Sequence, residues 1–152
     1  MNKQAFEKEM DRLLTKYNVK YFKAYETCDI GREYGGAVLE APERRIWTNI
    51  IPTLHVLDWL REEMKRPIDV NGCFRSTNYN LAVGGASRSL HLHFNAIDFN
   101  VRGRKPLTVA KKLSEHKEAA FFGIGLYKNF VHLDTRARVY RPSPARWGET
   151  FW

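Results

Sequence analysis

Cysteine is scarce in this chain of 152 residues, with Cys28 and Cys73 the only two. Two thiols are too few for a disulfide framework, and they do not form a CxxC pair. Both read as semi-buried thiols with a packing role. Long apolar runs are missing as well, so no segment is suited to cross a bilayer and no membrane insertion is expected. The first twenty residues mix charges with apolar side chains and lack the apolar stretch of a secretory signal. The expectation is therefore a chain made in the cytosol without a signal peptide, to be released or carried to wherever it acts. There is no internal repeat and no low-complexity tract. Helix-turn-helix, zinc-finger and RNP-like patterns are also missing, so no specific nucleic-acid partner is expected.

What is present suits one globular domain over 1–152, with a monomer expected. Lysine and arginine number 25 against 17 acidic residues, a formal net charge of +8. Such a balance favours polyanionic partners, among them the carboxylates and phosphates of a bacterial wall. Arg136, Arg138, Arg141 and Arg146 crowd the end of the chain. The plain reading of that run is a solvated, poorly ordered tail.

Hydrophobic spacing gives the elements. Phe6, Met10, Leu13, Leu14 and Tyr17 predict a helix from Gln4 to Tyr17, stopped at Asn18. Residues 19–42 read as loop with short strand pieces. A second stripe runs from Glu43 to Met64, where Pro52 either kinks the helix or opens a new one from its first turn. Ile68 to Val70 reads as a short strand, and Ser76 to Val83 as a short helix closed by Gly84 and Gly85. Ala96 to Val101 alternates, with Asp98 on the face opposite Ile97, Phe99 and Val101. Leu107 to Glu118 is a further helix candidate. Gly123 to Tyr127 and Phe130 to Asp134 form a hairpin pattern around Lys128 and Asn129. The class is α+β, a small antiparallel sheet with one packed face against helices.

Asp98 and His132 then stand on the unpacked faces of two strands, and His91 lies seven residues before Asp98 in the approach to its strand. A chain reversal there brings all three over one face. Two histidines and one carboxylate leave a fourth tetrahedral position free, the pattern of a catalytic zinc site. On spacing alone a second reading stays open: a histidine hydrogen-bonded at a sheet surface, with Asp98 pairing an arginine.

Several motifs occur in order: Phe74-Arg75-Ser76-Thr77-Asn78-Tyr79-Asn80, Val83-Gly84-Gly85-Ala86, Ser89-x-His91, Ala96-x-Asp98, Gly123-x-Gly125-x-Tyr127 and Phe130-Val131-His132-x-Asp134-Thr135-Arg136. Together they resemble the zinc D-Ala-D-Ala carboxypeptidase and L-Ala-D-Glu endopeptidase family, whose metal-site scaffold is shared with the hedgehog amino-terminal domain. The resemblance covers roughly residues 68–147. It implies a hedgehog/DD-peptidase-like fold, Zn2+ held by His91, Asp98 and His132, and hydrolysis of peptide bonds in peptidoglycan stem peptides or cross-bridges. Arg75 matches the arginine that holds a substrate carboxylate or carbonyl, and Ser89 a serine that helps orient substrate. With the missing signal sequence, the resemblance also fits a phage or prophage lysin, or a part of a phage particle.

Three features depart from the family pattern. Phe94 and Cys73 stand where glycine is usual, and the bulk of Phe94 is expected to change the loop or narrow the cleft. Asn129 and Phe130 occupy the places of the family's general base, and neither takes a proton from water at neutral pH. Asp134 is the candidate substitute, as base or as partner to a ligand; His93 is another. Tyr127 is a candidate donor to an oxyanion, and Trp147 is expected to close the core or the cleft rim. The missing base also supports an alternative, a catalytically weak or inactive zinc-containing module for wall binding or virion structure.

Overall fold

The side-chain oxygen of Asn2 accepts the amide of Ala5 at 2.8 Å and so starts helix α1 (Lys3–Lys16) in the computed structural model, which describes residues 1–148. This cap satisfies one of the four free amides of a helix start. Phe6, Met10 and Leu14 face inward from α1, and Asn18 ends the segment in the left-handed region, φ 58°. The next stretch carries a four-residue helix, α2 (Ala24–Thr27), and a two-stranded hairpin of β1 (Glu33–Tyr34) and β2 (Ala37–Val38). Gly35 and Gly36 supply the positive φ that the tight turn demands.

The stripe from Glu43 to Met64 divides in two. A 3-10 stretch spans Arg44–Ile50, and α3 (Ile51–Met64) starts afresh with Pro52 in its first turn. There the missing proline amide is one that the helix would leave unpaired anyway. Ile51, Leu54, Val56, Leu57 and Leu60 bury one side of α3.

The main sheet holds β3 (Ile68–Gly72), β4 (Ala96–Val101), β5 (Gly123–Leu126), β6 (Val131–Asp134) and β7 (Ala145–Gly148), in the order β3-β4-β6-β5-β7. Ile97, Phe99, Ile124, Val131 and Leu133 are buried on it. Helices α3 and α5 (Pro106–Leu113) contact its strands. The short α4 (Thr77–Ala82) lies between β3 and β4 in sequence.

Three sequence expectations are corrected. Helix α5 ends at Leu113 rather than Glu118; beyond it the amides of Glu115 and His116 bond only three residues back, to the carbonyls of Lys112 and Leu113. Phe130 lies outside the strand, in a turn closed by the amide of Tyr127 donating to the Phe130 carbonyl at 3.1 Å. The basic tail is ordered and integral through Gly148. β7 pairs with β5 in parallel, the one parallel pair among the described residues. Arg146 is drawn inward to the carbonyls of Phe122 and Ala119, at 2.8 and 2.9 Å.

Candidate metal centre

β4 and β6 run antiparallel with Asp98 directly opposite His132. Opposed residues share a face, so the two side chains meet above the sheet. His91 reaches the same place from the connection before β4. A chain of turn hydrogen bonds fixes that connection, with the amides of Leu92, His93, Phe94 and Asn95 donating to the carbonyls of Ser89, Leu90, His91 and Leu90. The three side chains present ligand-type atoms that all lie within 4.8 Å of one another.

The hydrogen bonds decide which atoms face the centre. His91 Nδ1 donates to the Cys73 carbonyl at 2.5 Å, which turns its Nε2 toward Asp98 Oδ2 at 3.2 Å. A carbonyl can only accept, so the Nδ1 proton is fixed and the Nε2 lone pair is free for a metal. His132 is held in the opposite sense. Its Nε2 donates to Asp134 Oδ2 at 2.8 Å, and its Nδ1 faces Asp98 Oδ1 at 2.9 Å. The donor set is therefore His91 Nε2, an Asp98 oxygen and His132 Nδ1. This set fits a divalent cation with one open tetrahedral position.

The electrostatics suit a cation as well. Burial lowers the pKa of His91, against the opposing pull of Asp98, which keeps the ring neutral and ready to coordinate. Burial also works against charge on His132, but Asp134 and Asp98 outweigh it and raise the ring to about 9. Burial would raise the Asp98 carboxyl, yet the hydrogen bonds from His132 and His91 hold it well below the usual carboxylate range.

Asp134 is fully buried and both of its oxygens are engaged. Oδ1 accepts the amides of Gly123 and Arg136, each at 3.2 Å, and Arg136 Nε at 2.9 Å. Oδ2 accepts from His132 and from Arg136 Nη2, the latter at 2.9 Å. Of the two roles expected for this carboxylate, the contacts are those of a partner to a ligand. Ser89 is half-buried, and its hydroxyl accepts the amide of His91 at 3.3 Å.

Arg75 follows β3 and reaches back over the site. Its Nη2 donates to Asp98 Oδ2 at 3.3 Å and its Nη1 to Asn80 Oδ1 at 3.5 Å. A Cβ on Gly85 would collide with the Asn80 amide and crowd Arg75. Gly85 therefore makes room for the arginine's support, a role its sequence reading as part of a helix stop did not reveal. The glycines of β5 act likewise. Gly123 gives its side-chain space to Asp134 and Arg136, and Gly125 to the Trp147 indole. Trp147 lies 5.1 Å from the His132 ring, between centroids, and its Nε1 donates to the Tyr127 hydroxyl at 2.9 Å.

A cleft of about 600 Å³ opens beside the centre, and Arg75, Asp98, Tyr79 and Phe130 are among its lining residues. Phe94 does not narrow it. The ring is fully buried, packed edge-on to Phe74 at 5.5 Å, and its backbone keeps a glycine-like φ of 53°. His93 is exposed, 3.5 Å from Arg141, and stands apart from the ligands. Cys28 and Cys73 are buried at the cleft floor, where burial pushes the Cys28 thiol up to about 12 and so removes it as a nucleophile. Of the other cleft acids, Asp29 pairs with Lys3, Asp69 with Arg102, and Glu26 caps α2.

The family model for peptidase M15 matches residues 20–134 of the chain. A zinc D-Ala-D-Ala carboxypeptidase from Streptomyces albus G is 35% identical over 92 residues, which are 60% of this chain. The match spans only 35% of that curated relative's length.

Proposed function

This chain belongs to the peptidase M15 family, and we propose that it is a zinc-dependent peptidase acting on peptide bonds of peptidoglycan, in stem peptides or cross-bridges. The observation that carries the reading is the convergence of His91, Asp98 and His132, with Arg75 leaning on the same carboxylate at the edge of an open cleft. His91 Nε2, an Asp98 oxygen and His132 Nδ1 would hold the zinc. Bound there, zinc supplies the Lewis acidity that polarises a peptide carbonyl and makes water a nucleophile near neutral pH.

The chain's own side chains supply the rest. Arg75 offers a planar fork to a substrate carboxylate or carbonyl. Ser89 steadies the loop that carries His91. Asp134, braced by Arg136, holds the His132 ring in one tautomer and orientation and is a positioning residue. Trp147 shields the other side of that ring from water.

A second reading is favoured by one feature. Phe130 lines the cleft where a general base would stand, and Asp134 has no free oxygen to act instead. A zinc-bearing module that grips wall peptides with little or no turnover has the same geometry. Product analysis separates the two. Purified wall treated with the chain is expected to release peptide fragments of new mass, and Asp98→Ala to abolish that release. Turnover that survives in Asp98→Ala would sink the zinc mechanism, whereas wall binding without new products would favour the second reading. The place of action that follows is the bacterial wall. Among the described residues no helix is long and apolar enough to cross a membrane.

A further inference from the structure

The cleft extends from Arg75 and Asp98 to an outer wall formed by α2 and the hairpin after it, where Tyr25, Arg32 and Tyr34 are lining residues. Tyr25 is 60% exposed and Tyr34 56%. Two tyrosines left in water on the rim of one cleft are the kind of surface that ligands cover, because each offers wide contact at low cost in side-chain entropy.

The wall is anchored. The Gly31 amide donates to the Leu39 carbonyl at 2.9 Å, and the Leu39 amide to the Arg32 carbonyl at 2.8 Å. Asn78 of α4 donates to the Val38 carbonyl at 3.2 Å, which ties the hairpin to the helix that also carries Asn80, the support of Arg75. Inner and outer parts of the cleft thus share one scaffold.

The charges single out Arg32. Lys3 is taken by Asp29, Asp69 by Arg102, Arg75 by Asp98, and Glu26 by the amide of Lys23. The Arg32 guanidinium has no ion-pair or hydrogen-bond partner among the described residues, and it is exposed at the cleft. An unpaired fork lining the same cleft as two exposed phenols is suited to a carboxylate, which it binds through two oxygens at once.

We propose that Tyr25, Arg32 and Tyr34 form an outer subsite that takes a carboxylate-bearing residue of the substrate peptide, remote from the bond that is broken. The proposal rests on the peptidase reading for its substrate class. It makes the chain a reader of acidic peptides, sensitive to whether that carboxylate is free or amidated.

The test uses two wall peptides that differ only in a free or amidated side carboxylate, with binding measured by calorimetry and cleavage by product mass. The wild type is expected to bind and process the free acid with about tenfold lower KM, the size of one charge-assisted hydrogen bond. Arg32→Gln is expected to remove the difference through KM, and Arg32→Lys to keep part of it. The kcat of Arg32→Gln on the amidated peptide reports whether the centre itself is intact. Cleavage by the wild type with no preference, or a preference unchanged in Arg32→Gln, overturns the subsite and leaves the peptidase reading standing. Preferential binding lost in Arg32→Gln but without any cleavage keeps the subsite and overturns the peptidase reading. Failure to bind or cleave either peptide overturns both.

Discussion

Asp134 meets the proposed metal centre only through the His132 ring. Its Oδ2 takes the proton of His132 Nε2, and Arg136 and the Gly123 amide fill the remaining acceptor positions. Asparagine at this position has one oxygen, which the guanidinium of Arg136 claims. The amide nitrogen then faces His132 Nε2, favours the proton on Nδ1, and blocks the atom that binds metal. Asp134→Asn is expected to weaken zinc affinity about 10- to 100-fold, the usual effect of losing such a support. Competition against a chromophoric chelator measures it, and an unchanged affinity would remove Asp134 from the positioning role. The ligands themselves are legible in the sequence, through motifs in a fixed order rather than through the spacing of any pair. The choice of Nδ1 on His132 is not, because it depends on two carboxylates flanking one ring in space. Phe94 was legible only as a departure. Its bulk points into the core against Phe74, and the sequence alone does not tell which side of a turn a side chain takes.

Among the elements, β7 is the one that periodicity misses. Ala145-Arg146-Trp147-Gly148 has no alternation and follows a basic stretch with two prolines. What recruits it is remote: Gly125 of β5 leaves a slot that the Trp147 indole fills. A Cβ at Gly125 would lie 2.7 Å from that indole. Gly125→Ala is therefore expected to cost about 1–3 kcal/mol, the usual range for overpacking. In a Trp147→Ala background the same change should cost less, because the obstructing ring is gone. Denaturant midpoints of the four proteins in this cycle check the claim, and strictly additive effects would show that the two positions do not compete for space. By contrast α1, α3 and β4 announce themselves, since each buries a stripe at the period of its own geometry, whereas β6 alternates in sequence but is buried on both faces. The four-residue α2 is too short to show a period, and α5 tightens into three-residue turns after Leu113, which the apolar stripe does not announce.

At the scale of the whole molecule, the centre joins two strands and the loop before one of them. A metal that binds only the folded chain stabilises it by mass action, about 2.7 kcal/mol when the free metal stands at a hundred times its Kd. For a domain of this size that is a rise of roughly 5–11 °C in melting temperature. The chelated wild type is expected to melt lower by about that amount and to recover on addition of zinc. Asp98→Ala should melt at the same temperature with and without zinc, and a zinc-dependent shift that persists in it would place the bound metal elsewhere. The α+β class was legible from the order of helical and alternating segments. The strand order was not, because β3 and β7 occupy the two edges of the sheet while lying far apart in the chain.

The separation of His91 and Asp98 from His132 along the chain also sets a sequence of events during synthesis. A ribosome delivers His91 and Asp98 first, and at that point the chain holds two of the three donors with only β3 to pair with β4. Only when β6 has emerged and paired with β4 does the third donor swing into place. A chain paused or cut short before His132 therefore carries no finished centre, and metal loading reports that translation has passed that point and that the sheet has closed.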